Sequence, residues 1–302
     1  MRRSVTVMAT ALLLLGFLSP RVIAATASKQ SVVASFYPIA YAAEVVGGRE
    51  VAVTNLTRAG AEPHDLELSP VQMDRMLDAD VLFVLGGDFQ PAVERAARQR
   101  DGITVELLDG LAVAKDHDDE RSEDDHEGLD PHVWLDPVLM HDIVLQIQRA
   151  LVRADPKNRA TYAANAEALR AELFALDERY RRGLADCERT LIVTAHESFG
   201  YLTRQYGLRQ EGVSGIDPTA EPDARRIAEL TDLAGRHGVT VVFTEELVSR
   251  RVAATLAREA GLRTDTLDPL ETLSTKARKA GETYMTVMDS NLRKLRTALG
   301  CS

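Results

Sequence analysis

Seven histidines are spread along 302 residues, and three of them stand where imidazole could do metal chemistry: His64 in "GAEPHDLELSP", His132 in "DPHVWLDP" and His196 in "TAHESFGYL". His64 follows the apolar, strand-like run "VAVTNL" by a few residues. His132 lies in a loop pinned by two prolines, and His196 comes directly off the strand-like "TLIVTA". Asp268, in "LDPL", follows another strand-like run, "LRTDTL". In α/β sheets, ligand-holding groups gather in the crevice beyond the carboxyl ends of strands. Three imidazoles and one carboxylate make a four-ligand set that suits zinc. His141 falls within a helical stretch and His237 near a helix end, so both read as ordinary exposed residues. There is no HExxH, the helix-borne signature of a zinc protease.

The elements that must position these residues alternate along the chain. In the first half "SVVASFYPIA", "EVAVTNL", "DVLFVLGG" and "ITVELLDG" are strand-like, and helical patterns separate them; Ser69 stands as an N-cap before "PVQMDRMLDA". The second half repeats the alternation with "RTLIVTA", "LRQEGVS", "VTVVFT" and "LRTDTLDP". Repeated strand–helix units argue for mostly parallel sheets covered by helices. Between the halves, "RATYAANAEALRAELFALDERYRRGLADC" is one long amphipathic run, which predicts a rigid helix of about 30 residues spanning roughly 45 Å. The expected organisation is therefore an α/β fold of two parallel-sheet lobes, 29–155 and 188–302, joined by a linking helix over 156–187. Residues 115–130 interrupt the first lobe with nine acids and two bases. There, His117 and His126 read either as solubility filler or as a weak secondary metal loop.

The N-terminus carries Arg2 and Arg3, an apolar stretch from Val5 to Leu18 and the small-residue pattern Val22-Ile23-Ala24, which together read as a cleaved secretory signal peptide over 1–24. Its removal lowers Lys+Arg from 36 to 33 against 46 acidic residues, for a net charge of −13. Such a surface excludes nucleic acid and anionic membranes as partners and attracts cations. Cys187 and Cys301 show no CxxC spacing, and in an exported protein they read as a disulfide.

Taken together, "GAEPHDLELSP", "DPHVWLDP", "TAHESFGYL", "SGIDPTAEPDARRIAEL" and "LDPL" resemble, in order and over nearly the whole mature chain, the metal-binding proteins of zinc and manganese ABC importers. The resemblance implies two α/β lobes joined by one long helix, with the metal in the cleft between them. It places His64, His132, His196 and Asp268 on the four ligand positions, and it matches the acidic, His-containing loop ahead of the second histidine motif. It implies a periplasmic monomer that captures Zn²⁺ as transported ligand and delivers it to an inner-membrane permease, and not an enzyme. Manganese-type members tend to carry glutamate where His196 stands; imidazole there favours zinc, while carboxylate and water suit manganese. Two other readings remain at this level. One is Mn²⁺ or Fe²⁺ delivery by the same fold. The other is a secreted zinc hydrolase, with Glu62, Glu245 or Glu246 as a general base. Glu245 also reads as a residue backing a ligand or lining the lobe interface.

Overall fold

The computed structural model describes residues 29–113, 129–220, 222–245 and 250–302. The signal-peptide reading of 1–24, Glu246, and the acidic loop with His117 and His126, apart from its last two residues, lie outside the described residues.

Short apolar runs buried on both faces make the central strands of parallel sheets, and the chain builds two such sheets with more exposed edge strands. The first holds β1 (Gln30–Ala34), β2 (Val51–Asn55), β3 (Val81–Val84) and β4 (Ile103–Glu106), in the order β2-β1-β3-β4. The second holds β5 (Leu191–Thr194), β6 (Arg209–Gly212), β7 (Val241–Thr244) and β8 (Arg263–Thr266), in the order β6-β5-β7-β8. All described pairings are parallel. Each sheet thus reverses its winding direction beside its first strand. A crevice opens there at the strands' carboxyl ends, beneath His196 after β5 and Glu245 after β7.

Helices fill the crossovers: α1 (Tyr37–Gly47), α2 (Pro70–Leu77) and α3 (Pro91–Ala97) in the first lobe, and α6 (Gly200–Gln205), α7 (Ala224–His237) and α8 (Arg250–Ala260) in the second. Their ends follow local chemistry. Ser69 is the expected N-cap of α2, and with Gln72 it forms a capping box. Asp223 caps α7, and Gly238, in the left-handed conformation, stops it.

Between the sheets run α4 (Pro137–Ala154) and α5 (Arg159–Gly183), with a short 3-10 turn at Pro156–Asn158 separating them. The predicted strut is therefore 25 residues, about 37 Å long. Its buried residues Tyr162, Ala166, Leu169, Leu173, Leu176 and Tyr180 alternate by four and three, so one stripe faces inward. That stripe packs on α1 and α4 of the first lobe and on α10 (Tyr284–Leu299) of the second. The Tyr180 hydroxyl donates to Met288 O at 2.7 Å. The helix is a keel bedded in both lobes. Beyond it, Cys187 is disulfide-bonded to Cys301, 114 residues away, which in the chain-entropy model contributes about 4–5 kcal/mol.

One apolar core is continuous through both lobes, from Val32 and Phe83 past Trp134 and Tyr180 to Phe243 and Leu295. Each lobe adds a smaller core on its outer face, around Val193 and Leu230 in the second and around Leu82 and Met76 in the first. Trp134, fully buried, donates its indole N–H to Pro269 O at 2.7 Å, and the Tyr284 hydroxyl donates to Trp134 O at 2.6 Å. These bonds fix the loop carrying His132 against the loop that follows β8.

Candidate metal centre

Four side chains converge from four separate loops. His64 follows β2, His132 precedes α4, His196 follows β5, and Glu271 lies in the loop after β8. Glu271 Oε1 is 3.3 Å from Nε2 of each of the three histidines, and the Nε2 atoms of His132 and His196 are also 3.3 Å apart. All four donor atoms lie within 4.8 Å of one another. Atoms held 2.0–2.1 Å from a central zinc at the corners of a tetrahedron stand about 3.3 Å apart. Four of the six donor–donor distances equal the edge length of a tetrahedral site with three nitrogen donors and one oxygen donor.

Carboxylates behind the imidazoles orient them. Asp130 Oδ1 is 2.9 Å from His132 Nδ1 and also accepts the His132 backbone N–H at 3.0 Å. Glu245 Oε2 is 2.6 Å from His196 Nδ1, at an angle short of a regular hydrogen bond, and Glu245 Oε1 accepts the His196 backbone N–H at 3.2 Å. A carboxylate on Nδ1 holds the proton there and leaves the Nε2 lone pair for a metal. The His196 carbonyl accepts from Thr194 and Gln210. His64 is held more lightly: Glu62 Oε1 accepts its backbone N–H at 3.2 Å, and its ring meets Phe89 edge-on at 4.6 Å.

The charges are strongly interdependent. Burial opposes the imidazolium of His132, but hydrogen bonds to Asp130 and Glu271 outweigh it and raise its pKa. At His196 burial is likewise overcome, by Glu245 and then Glu271, and the pKa rises well above the ordinary value. Burial would raise Glu271, yet its bonds to the three imidazoles hold it well below the usual carboxylate range. Burial, and then the nearby Glu271, push the Glu62 carboxyl up to about 7.

Of the four expected residues, the structure brings His64, His132 and His196 together and leaves Asp268 outside the group. The carboxylate brought to the imidazoles is Glu271, not Asp268. Asp268 Oδ1 accepts the Leu270 N–H at 2.8 Å, while its backbone N–H and carbonyl pair with the Asn291 side chain. Leu270 consequently adopts φ 58°, a left-handed conformation uncommon outside glycine. That turn, fully buried and pinned by Trp134, sends the chain sharply back so that Glu271 points into the cluster. Sequence position favoured Asp268 because it is nearer the strand end. A second acid three residues on, in "LDPLETL", was the available signal, but nothing in it announces a left-handed leucine. Asp130 was not anticipated either; an acid two residues before a candidate histidine was its only trace.

The remaining candidates have other partners. His141, on α4, has Nδ1 3.1 Å from Asp142 and accepts from Arg170 at 2.8 Å. His237, at the end of α7, stands 3.4 Å from Arg209. Neither belongs to the four-residue group.

Two parallel-sheet α/β lobes sharing one core, with a closed metal-type site assembled from both, define the class of extracytoplasmic solute-binding proteins that take a metal ion as ligand. Residues 32–298 match the family described as zinc-uptake complex component A, periplasmic, and the chain belongs to that family. It is 34% identical over 281 residues to the high-affinity zinc uptake system protein ZnuA of Bacillus subtilis, covering 90% of this chain and 88% of that one. It is 35% identical over 277 residues to the zinc-binding lipoprotein AdcA of Streptococcus pneumoniae, covering 89% of this chain but only 55% of the relative's length. The chain thus spans about half the length of the streptococcal relatives. The crystal structure of the Zn(II)-bound ZnuA-like domain of that AdcA superposes with a TM-score of 0.76 at 33% identity, covering 90% of this chain and 99% of the domain.

Proposed function

We propose that this protein captures Zn²⁺ outside the cytoplasmic membrane and delivers it to an ABC-type permease, with His64, His132, His196 and Glu271 as the ligands. The observation that carries this reading is the convergence of three imidazole nitrogens on one carboxylate oxygen, each at 3.3 Å, the edge length of a tetrahedral zinc site. Its support from relatives is their names, which are those of zinc-binding and zinc-uptake proteins. Three borderline nitrogen donors favour zinc over manganese. Four protein donors close the coordination sphere, whereas catalytic zinc keeps an open position for water, so we read the site as one for carriage and not hydrolysis. Asp268 is assigned the shaping of the Glu271 loop.

In the same reading the chain is exported on a signal peptide spanning 1–24 and works in the periplasm as a monomer. Its lobes are 29–155 and 188–302, with 156–187 between them. Among the described residues no helix is long and apolar enough to cross a membrane. Native mass spectrometry of protein purified from its own host compartment tests the proposal. One zinc per chain, lost from E271A, is the expected result. Manganese as the retained ion, or a stoichiometry unaffected by E271A, would refute the ligand assignment.

A further inference from the structure

The motif "HESFGY" continues past its histidine, and its glycine is unexplained by metal ligation. Gly200 opens α6, at a helical position where alanine is the better residue. A β-carbon built there would lie 2.6 Å from Asp130 Oδ2. The other atoms near it are Asp130's own Cγ at 3.8 Å and the Arg204 Nη1 at 3.9 Å, both ordinary contacts. What the missing side chain makes room for is therefore one thing, the carboxylate end of Asp130.

That carboxylate belongs to the first lobe and does a specific job. Its Oδ1 faces His132 Nδ1 at 2.9 Å and takes the His132 backbone N–H at 3.0 Å. The neighbouring Tyr201 hydroxyl donates to Asp130 O at 3.1 Å, so the start of α6 holds the same residue from a second side. A side chain at position 200 would displace the end of a short, rotatable carboxylate. The backbone has no reason to move, because no backbone atom is in the way. The fold would tolerate the change, while His132 would lose the group that fixes its ring.

The geometry points to Gly200 as a positioning residue for the metal site. Through it the second lobe sets the orientation of a ligand on the first, by leaving a slot for the Asp130 carboxylate against α6. This inference rests on the reading of the four-residue cluster as a metal centre. It gives the stretch after His196 a second role: His196 ligates directly, and Gly200 acts on His132 through Asp130.

A double-mutant cycle tests it, with zinc affinity read by competition against a chromophoric chelator in wild type, G200A, D130A and D130A/G200A. G200A is expected to weaken zinc by about ten- to hundredfold, the range for loss of a carboxylate behind a metal-bound histidine. Its metal-free melting temperature should stay at or above wild type. D130A should weaken zinc comparably, and adding G200A to it should cost nothing more, because there is no longer a carboxylate to displace. Unchanged affinity in G200A, or losses that multiply in the double variant, would overturn the inference. So would a G200A protein that fails to fold, since the obstruction would then lie with the fold. A wild-type protein that binds no zinc overturns the metal-centre reading and this inference with it. Zinc binding by wild type with G200A unaffected overturns this inference alone.

Discussion

His64 and His196 offer the same atom to the same site, yet the two lobes hold them very differently. The His196 side chain is wholly buried, with Nδ1 against Glu245, its N–H on Glu245 and its carbonyl held by Thr194 and Gln210. The His64 side chain is 14% exposed, rests edge-on against Phe89 and, apart from Glu271, is tied through its backbone to Glu62. Ring separations say the same: His132 and His196 centroids are 5.2 Å apart, while His64 stands 5.6 and 6.3 Å from them. Two lobes with one strand order thus supply a fixed corner and a lightly held corner. The lesson is that ligand count alone does not describe such a site. In the proposed reading, the buried corner holds the ion and the more exposed corner faces its way in and out.

The sharpest break of that comparison is at the oxygen common to both corners. E271A removes the donor that stands 3.3 Å from all three imidazoles. Zinc affinity should fall by more than the ~100-fold upper range for residues behind ligands, and D268A should fall less, because Asp268 acts through the turn at Leu270. Competition titration of both variants checks this order; an equal or larger loss in D268A would return Asp268 to the coordination sphere.

Next comes the contrast between corners. H196A should lose more zinc affinity than H64A, and H64A should chiefly speed release. H196E, which places a hard carboxylate beside Glu271, should lower zinc affinity while manganese loses less or gains. Metal-dependent melting with Zn²⁺ and Mn²⁺ reads both, since a ligand that binds only the folded state raises its stability. Larger damage from H64A than from H196A would reverse the assignment of corners.

The third prediction concerns protons. The imidazoles of His132 and His196 have raised pKa values, so their contribution to metal-free stability is present at low pH and fades as pH rises through the raised values. Glu271 is depressed, so its contribution is present above the ordinary carboxylate range and lost as pH falls through its lowered value. The metal-free protein should therefore melt highest in mild acid. Zinc needs the imidazoles neutral, so the melting shift it produces should shrink as pH falls through the range above 6.5 where they take up protons. E245Q removes the largest group raising His196 and should move that loss of zinc shift to lower pH. Melting curves with and without chelator across this range decide it; a zinc shift independent of pH would contradict the assigned proton competition.

The smallest effect belongs to the mouth. Thr272, next to Glu271, accepts the Gly60 N–H at 3.0 Å and donates to Arg58 O at 3.4 Å, tying the loop of His64 to the second lobe. One partly exposed hydrogen-bonding group is worth about a two- to tenfold change in rate. T272V should quicken zinc release by that much, measured by chelator-chase stopped flow, and T272S should restore it. No change in T272V would show that this clasp does not govern release.

Sequence alone carried the two α/β lobes, the long helix, the disulfide and the three histidines, and for local reasons. Strand runs such as "LIVT" and "VVFT" are apolar on both faces, helix ends carry Ser69 and Gly238, and each histidine lies just beyond an element whose type is legible from its period. Tertiary structure decided the fourth donor and the braces. Glu271 reaches the site only because a buried leucine takes a left-handed turn, which Trp134 and Asn291 hold from elsewhere in the chain. Asp130 stands two residues from His132 within the first lobe, and Glu245 meets His196 within the second only because β5 and β7 pair. Glu271 meets His132 and His64 across 139 and 207 residues of chain, and hydrophobic period and capping signals report only on neighbours a few residues apart.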